Sequence, residues 1–193
     1  MALKFKYSPN QEHQVQAVHA VTELFKGQEY KQGQTSFANL ESSFAEIPDK
    51  DKSGTESLPG FDIVSGSVPG YSNNLQLSQG QLFDYLHAVQ DHNNIDKSEV
   101  FTDGKLRDFS IEMETGTGKT YVYIRTIYEL NKLYGWTKFI IVVPSVAIRE
   151  GVKKSFETTK EHFNQLYDNT PLDVFMYDSK DMSNVGNFAT SSS

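Results

Sequence analysis

Residues 113–120 read Met-Glu-Thr-Gly-Thr-Gly-Lys-Thr, and the interpretation of the whole chain starts from this stretch. Gly116 and Gly118 have no Cβ, so the backbone can turn sharply there and direct successive N–H groups toward one point. Lys119 adds a positive charge, Thr120 adds a hydroxyl, and a helix beginning here adds the positive end of its dipole. These groups predict a site for the phosphates of ATP and its Mg²⁺ ion.

The sequence around this loop supports the same interpretation. The general pattern G-x-x-x-x-G-K-[ST] expects a glycine where this chain has Met113, so the match fails at one position. Alternating apolar and polar residues predict a strand at 110–114, and apolar residues spaced three and four apart predict a helix at 121–134. The alternative is a flexible turn before a helix whose first lysine is solvated. The strand, loop and helix order favours a phosphate site whose backbone cradle comprises Glu114, Thr115, Gly116, Thr117 and Gly118.

Composition narrows the class of protein. The chain has 193 residues, of which 37% are hydrophobic and 22% are charged. This composition suits one ordinary globular domain, and the length is too short for a complete motor protein. Without cysteine, disulfides and thiolate metal sites are impossible, and the five histidines show no metal-binding spacing. No apolar run approaches a membrane span and no signal peptide is evident, which predicts a cytoplasmic protein without a membrane partner. The net charge of −7 argues against a basic surface over the whole molecule.

The order of patterns along the chain predicts three parts and an α/β fold. Residues 1–28 read as an N-terminal helix, 29–105 as a polar insertion with a short helix at 78–89 and a short strand at 61–64, and 106–193 as the main domain. Further strands are predicted at 138–143 and 172–177, with a helix at 146–167 between them. Strands alternating with helices predict a parallel sheet joined by right-handed crossovers, with the ligand loop at a strand's carboxyl end.

The residues now named carry a resemblance to a known family. Residues 113–120 and the later Phe-Ile-Ile-Val-Val-Pro-Ser-Val-Ala-Ile-Arg-Glu-Gly-Val at 139–152 resemble motifs I and Ia of superfamily 2 helicases. The chain more closely resembles the restriction (Res) subunit of type III restriction-modification enzymes, which is similar in carrying the Met-Glu-Thr form of the loop. The resemblance is most specific from 109 to 163. It implies a P-loop NTPase (RecA-like) parallel sheet with flanking helices, here as an incomplete first motor domain with a polar N-terminal insertion.

The resemblance also implies roles for individual residues at the nucleotide. Lys119 and Thr120 would be the catalytic pair that holds the phosphates and Mg²⁺. Gln14 lies in a sequence similar to the helix in which related motors place a glutamine against the adenine edge, and an amide offers one donor and one acceptor side by side. The alternative for Gln14 is a polar residue on the exposed face of a helix, with Gln11 as the nearby rival for the adenine contact.

A second group of residues would face DNA. In the family, motif Ia lies against the phosphate backbone of the tracked strand, which assigns that contact to Pro144, Ser145 and Arg149. A hydroxyl and a guanidinium can contact phosphates without reading base sequence. The alternative is that Ser145 caps a helix and Arg149 forms a surface ion pair with a nearby glutamate.

The motor that these motifs belong to needs parts that the 193 residues do not contain. No Asp-Glu pair follows an apolar strand after Lys119, so a Walker B motif is missing, as is a second domain that would supply arginine fingers. We therefore expect the N-terminal part of a Res subunit that does not turn over ATP by itself. The parent is expected to be an ATP-dependent DNA translocase and endonuclease, with double-stranded DNA, a modification methyltransferase subunit, and the remaining motor and nuclease domains as partners. The alternatives are another superfamily 2 DNA or RNA helicase, a nucleotide kinase, or an inactive nucleotide-binding remnant.

Overall fold

The computed structural model describes residues 6–31, 35–36, 69–70, 72–99, 108–177 and 183–191. In these ranges the chain forms five helices, which are α1 (Glu12–Glu23), α2 (Gln79–His92), α3 (Lys119–Tyr134), α4 (Val146–Leu166) and α5 (Ser183–Thr190). Two short strands, β1 (Thr35–Ser36) and β2 (Pro69–Gly70), pair antiparallel. The helices in the described ranges include none that is long and apolar enough to cross a membrane.

The chain divides into two compact units. The first contains α1 to α4 and draws on Met1–Lys31, Leu75–Gly135 and Phe139–Pro171. The second contains β1, β2 and α5 and draws on Gln32–Asn74, Trp136–Lys138 and Leu172–Ser193. In the second unit the Asn73 side chain holds the backbone of the 137–138 segment, accepting from Thr137 N at 2.9 Å and from Lys138 N at 3.0 Å. Lys138 in turn donates to the Phe188 carbonyl at the end of α5, at 2.5 Å.

The predicted parallel sheet is wrong for the part of the chain that the structure describes. The segments 110–114, 138–143 and 172–177 are described throughout, and none of them joins a strand ladder. Their apolar side chains are accordingly half-buried or exposed, and the exposed fraction reaches 80% for Ile140 and 88% for Val142. An apolar run expresses a preference for extended backbone, but a strand in a parallel sheet also needs neighbours to take its N–H and C=O groups. The predicted strand at 61–64 lies outside the described residues.

The predicted helices are confirmed, and their ends follow from local chemistry. Ser78 and Gln81 form a reciprocal capping box at the start of α2: the Ser78 Oγ accepts from the Gln81 N–H, and the Gln81 Oε1 accepts from the Ser78 N–H. Both flanking residues of α3, Gly118 and Gly135, have left-handed backbone with φ of 91° and 73°. Glycine reaches that conformation without a Cβ penalty, so the sequence starts and stops α3 at these positions.

Helix α3 is the central element of the first unit, because it packs against both α1 and α4. Ile124 is completely buried, and Val122 and Leu130 are nearly so. On the α1 side, the Tyr134 hydroxyl donates to the Thr22 carbonyl at 2.8 Å. A helix buried on two sides reads as apolar over much of its circumference, which matches the dense apolar and aromatic sequence of 121–134.

An aromatic cluster joins α3 to α4. The Phe163 ring lies 5.1 Å from Tyr121 and 5.2 Å from Tyr128, and the Tyr128 and Tyr167 rings stack at 4.8 Å. Ring pairs at these separations add to the free energy of area burial. Phe163 is only 1% exposed, so it forms the centre of this cluster.

Polar groups line the edge of the aromatic cluster. The Tyr121 hydroxyl and His162 Nε2 are 2.8 Å apart, and the Tyr167 hydroxyl donates to Glu129 Oε1 at 2.7 Å. Burial lowers the pKa of His162, and the charge of Arg125 lowers it further. Burial also raises the pKa of Tyr167, and its hydrogen bond to Glu129 adds to the rise. Both pKa shifts favour the neutral forms of the His162 imidazole and the Tyr167 phenol.

Truncating the centre of the aromatic cluster should destabilise the first unit strongly. Phe163→Ala removes a buried ring and leaves a cavity, so we expect the free energy of unfolding to fall by about 3–5 kcal/mol. The control is Tyr30→Ala, since Tyr30 is 60% exposed and its loss should change stability by no more than about 0.5 kcal/mol. Urea denaturation followed by circular dichroism measures both. Similar losses for the two variants would contradict this description of the core.

Acid should destabilise the protein through His162. Its pKa is lowered in the folded state, so the unfolded chain takes up a proton more readily and stability falls as pH drops through about 6.5. His162→Asn should flatten the dependence of the melting temperature on pH between pH 8 and pH 5. His19→Asn, at an exposed position of α1, should keep the wild-type dependence. An unchanged pH profile in His162→Asn would show that other groups are responsible.

Candidate nucleotide site

The loop 113–120 is closed by its own lysine. Lys119 Nζ donates to the Met113 carbonyl at 2.8 Å and to the Glu114 carbonyl at 2.9 Å. The Thr117 hydroxyl donates to the same Glu114 carbonyl at 2.7 Å. An ammonium has three hydrogens, so these contacts leave one for an oxygen of a bound phosphate. The loop thus has a defined shape with an exposed positive charge at its end.

The two glycines give this loop its course and leave donors available. Gly116 and Gly118 have φ of 85° and 91°, values that side chains disfavour. Within the described residues, no hydrogen bond takes up the N–H groups of Gly116, Gly118 or Lys119. The N–H groups of the first helical turn have no partner inside a helix, so Lys119 and Thr120 continue the row of donors. A row of unbonded N–H groups at a helix start is suited to an anion.

Helix α1 holds the loop from the side. Gln14 is 7% exposed, and its Nε2 donates to the Thr117 carbonyl at 2.9 Å. The Nε2 of neighbouring His13 lies 3.2 Å from the same oxygen. The alternative for Gln14, a polar residue on the exposed face of a helix, is therefore wrong, whereas its rival Gln11 is exposed. The sequence interpretation missed the contact of His13, because no periodicity connects this residue with a loop 104 positions away.

The residues of the loop fit ATP and Mg²⁺. Unbonded N–H donors and the third hydrogen of Lys119 suit phosphate oxygens, and the Thr120 hydroxyl stands in the first turn of α3, at the position that a Mg²⁺-binding threonine takes in this motif. Gly118 also permits the close approach of Gln14: a Cβ at this position would lie 2.5 Å from Gln14 Nε2. The roles of Glu114, Thr115, Gly116, Thr117 and Gly118 in a phosphate cradle stay predictions.

The residues of motif Ia make the contacts that the alternative interpretation predicts. Ser145 caps α4 by accepting from the Ile148 N–H at 3.3 Å, and Arg149 pairs with Glu150 at 3.3 Å. Pro144 is exposed, and the Arg149 side chain is 42% exposed. In the described ranges, no hydrogen bond or ion pair joins these three residues to the loop 113–120. An exposed ion pair is weak, so Arg149 could exchange Glu150 for a phosphate. The contact of these residues with DNA stays a prediction.

Comparison with known proteins adds an independent finding. A family model described as "Type III restriction enzyme, res subunit" matches residues 7–183. Among curated proteins, the StyLTI Res subunit of Salmonella typhimurium is 42% identical over 93 residues, 46% of this chain and 9% of the relative. The EcoP15I Res subunit of Escherichia coli is 42% identical over 95 residues, 48% of this chain and 10% of the relative. The EcoPI Res subunit of Escherichia phage P1 is 38% identical over 96 residues, 49% of this chain and 10% of the relative.

The close approach of Gln14 to Gly118 gives a test that separates two glycines. Alanine at Gly116 or at Gly118 should each cost about 1–2 kcal/mol, because both have positive φ. Gly118→Ala should cost about 1 kcal/mol more, since its Cβ would displace Gln14 from the Thr117 carbonyl, whereas Gly116 faces open space. Urea denaturation of the two variants measures the difference. Equal losses would show that Gln14 does not hold the loop.

Proposed function

Because the chain belongs to the family of type III restriction enzyme Res subunits, we propose that it is the ATP-binding N-terminal part of a restriction subunit. The whole protein is proposed to use ATP hydrolysis to translocate on DNA and to cleave it. The observation that carries the nucleotide role is the loop 113–120, whose unbonded N–H groups and Lys119 stand at the start of α3. The matched segments span about a tenth of the curated relatives, so the activity of the whole protein is part of the proposal.

The residues of the proposed nucleotide site have different tasks. The backbone from Glu114 to Gly118 directs N–H groups at the phosphates, and Lys119 neutralises charge on the terminal phosphates. The Thr120 hydroxyl would be a ligand of Mg²⁺, which shields the phosphate charge when bound. Gln14 keeps its Oε1 and one amide hydrogen for the adenine edge while its other hydrogen holds Thr117.

The DNA contact is proposed for the start of α4. Pro144, Ser145 and Arg149 would lie against a phosphate backbone, with the Arg149 guanidinium leaving Glu150 for a phosphate oxygen. The double-stranded DNA, a modification methyltransferase subunit, and the remaining motor and nuclease domains are the proposed partners, and the cytoplasm is the proposed location. With a net charge of −7 on these 193 residues, most of the basic DNA-facing surface is assigned to those other domains.

The 193 residues alone are proposed to bind nucleotide without steady turnover. No Asp-Glu pair follows Lys119 in this sequence, so the acidic group that holds Mg²⁺ and positions water is missing. An arginine finger is worth about 10³ to 10⁵ in rate where one acts, and a second motor domain would have to supply it. Binding is therefore the property to test on this chain.

Substituting Lys119 should weaken nucleotide binding strongly while leaving the helices of the first unit folded. The experiment measures the fluorescence anisotropy of a labelled ATP analogue with Mg²⁺ against wild type and Lys119→Ala. We expect saturable binding by wild type and a loss of at least about tenfold in the variant, because a charge-assisted hydrogen bond contributes about 1.5–3 kcal/mol. Lys132→Ala is the matched control, since Lys132 is an exposed lysine near the other end of α3.

Two results would count against the proposal. Folded wild type that binds no nucleotide would contradict the ATP site in this chain, provided that thermal melting shows a normal transition. Steady hydrolysis that Lys119→Ala abolishes would contradict the proposed lack of turnover instead. A DNA-binding assay with Arg149→Ala addresses motif Ia separately, with Lys153→Ala, at an exposed position about one turn further along α4, as its control.

A further inference from the structure

His13 and Gln14 share one acceptor in the loop 113–120. The Thr117 carbonyl oxygen lies 3.2 Å from His13 Nε2 and 2.9 Å from Gln14 Nε2. A carbonyl oxygen has two lone pairs and can only accept, so both of its positions are filled by side chains of α1. His13 must therefore donate, which requires a hydrogen on Nε2.

The direction of this carbonyl determines the direction of a neighbouring donor. The peptide between Thr117 and Gly118 is planar and trans, so the Thr117 C=O and the Gly118 N–H point in opposite directions. With the carbonyl held toward α1, the Gly118 N–H points away from α1. No hydrogen bond in the described part of the chain uses that N–H. Two side chains of α1 thus fix the orientation of a free donor that the loop would offer to a phosphate.

We infer that His13 is a positioning residue of the nucleotide site: together with Gln14, it holds the Thr117 carbonyl and thereby directs the Gly118 N–H at the phosphate chain. This inference rests on the proposed ATP binding. Gln14 has two tasks in that proposal, adenine contact and tether, whereas His13 has the tether alone. While the Gln14 amide also serves a base, His13 contacts only the carbonyl and keeps the peptide plane in place. His13 should therefore affect affinity for phosphates and not affinity for the base.

Isothermal titration calorimetry with three ligands separates these contributions. The ligands are ATP, inorganic tripolyphosphate with Mg²⁺, and adenosine. His13→Ala should weaken ATP and tripolyphosphate by the same factor, about three- to tenfold for one neutral hydrogen bond, and leave adenosine unchanged. His13→Gln, which restores an N–H donor, should recover much of the loss. His19→Ala, an exposed histidine on the same helix, is the matched control and should bind all three ligands like wild type.

Nuclear magnetic resonance of the ligand-free chain tests the tether itself. The Thr117 carbonyl ¹³C and the Gly118 amide resonances should shift in His13→Ala and stay in place in His19→Ala. Unshifted resonances would overturn the inference. It would also be overturned if wild type binds tripolyphosphate and His13→Ala binds it equally well. If the resonances shift but wild type binds neither ATP nor tripolyphosphate, the proposed ATP binding fails and the phosphate role of His13 fails with it. Failure of the His13 inference alone is therefore distinguished from failure of the proposed ATP binding, because wild type binds neither ligand only in the second case.

Discussion

The burial of α3 between α1 and α4 is the constraint on which the rest of the first unit depends. Ile124 is completely buried, and the helix meets α1 on one side and α4 on the other. Since α3 begins at Lys119, fixing this helix also fixes the point at which the loop 113–120 ends. The same packing brings α1 beside the loop, so the core and the candidate site are built by one set of contacts. Hydrophobic burial does not depend on direction, whereas hydrogen bonds do. The packing of α3 therefore positions the hydrogen-bonding groups of the loop.

Tyrosine hydroxyls give this packing its register. The buried Tyr134 hydroxyl reaches a backbone carbonyl of α1, while Tyr121 meets His162 and Tyr167 meets Glu129 at the edge of the aromatic cluster. A buried hydroxyl without a partner costs free energy, so each of these bonds restricts how far one helix can slide along another. Arg125 adds a link to the segment before α1 through its bond to the Pro9 carbonyl. Stacked rings stabilise the interface between α3 and α4, and the hydroxyls select one arrangement of it.

Contacts with both neighbouring and distant residues hold the loop 113–120 in place. Lys119 and Thr117 close it on the Met113 and Glu114 carbonyls, contacts between residues at most six positions apart. These follow from the loop sequence, as do the two glycines with positive φ. The Thr117 carbonyl is different, because it is held by α1, which lies more than 100 residues earlier in the chain. A loop closed only by its own residues could adopt several peptide orientations, and the contact with α1 selects among them.

The sequence by itself determined α1 to α4, the glycine turns of the loop 113–120 and the family, because periodicity, capping residues and glycine positions act over a few neighbouring residues. The capping box of α2 and the end of α3 at Gly135 could be read directly in this way. The prediction of a parallel sheet was wrong for the described residues. The apolar run at 139–143 indicates a preference for extended backbone, but strand pairing depends on distant segments that share no local pattern with this run. Only the tertiary structure decided that Gln14 is buried against Gly118 and that His13 reaches Thr117, since such contacts depend on how whole helices pack.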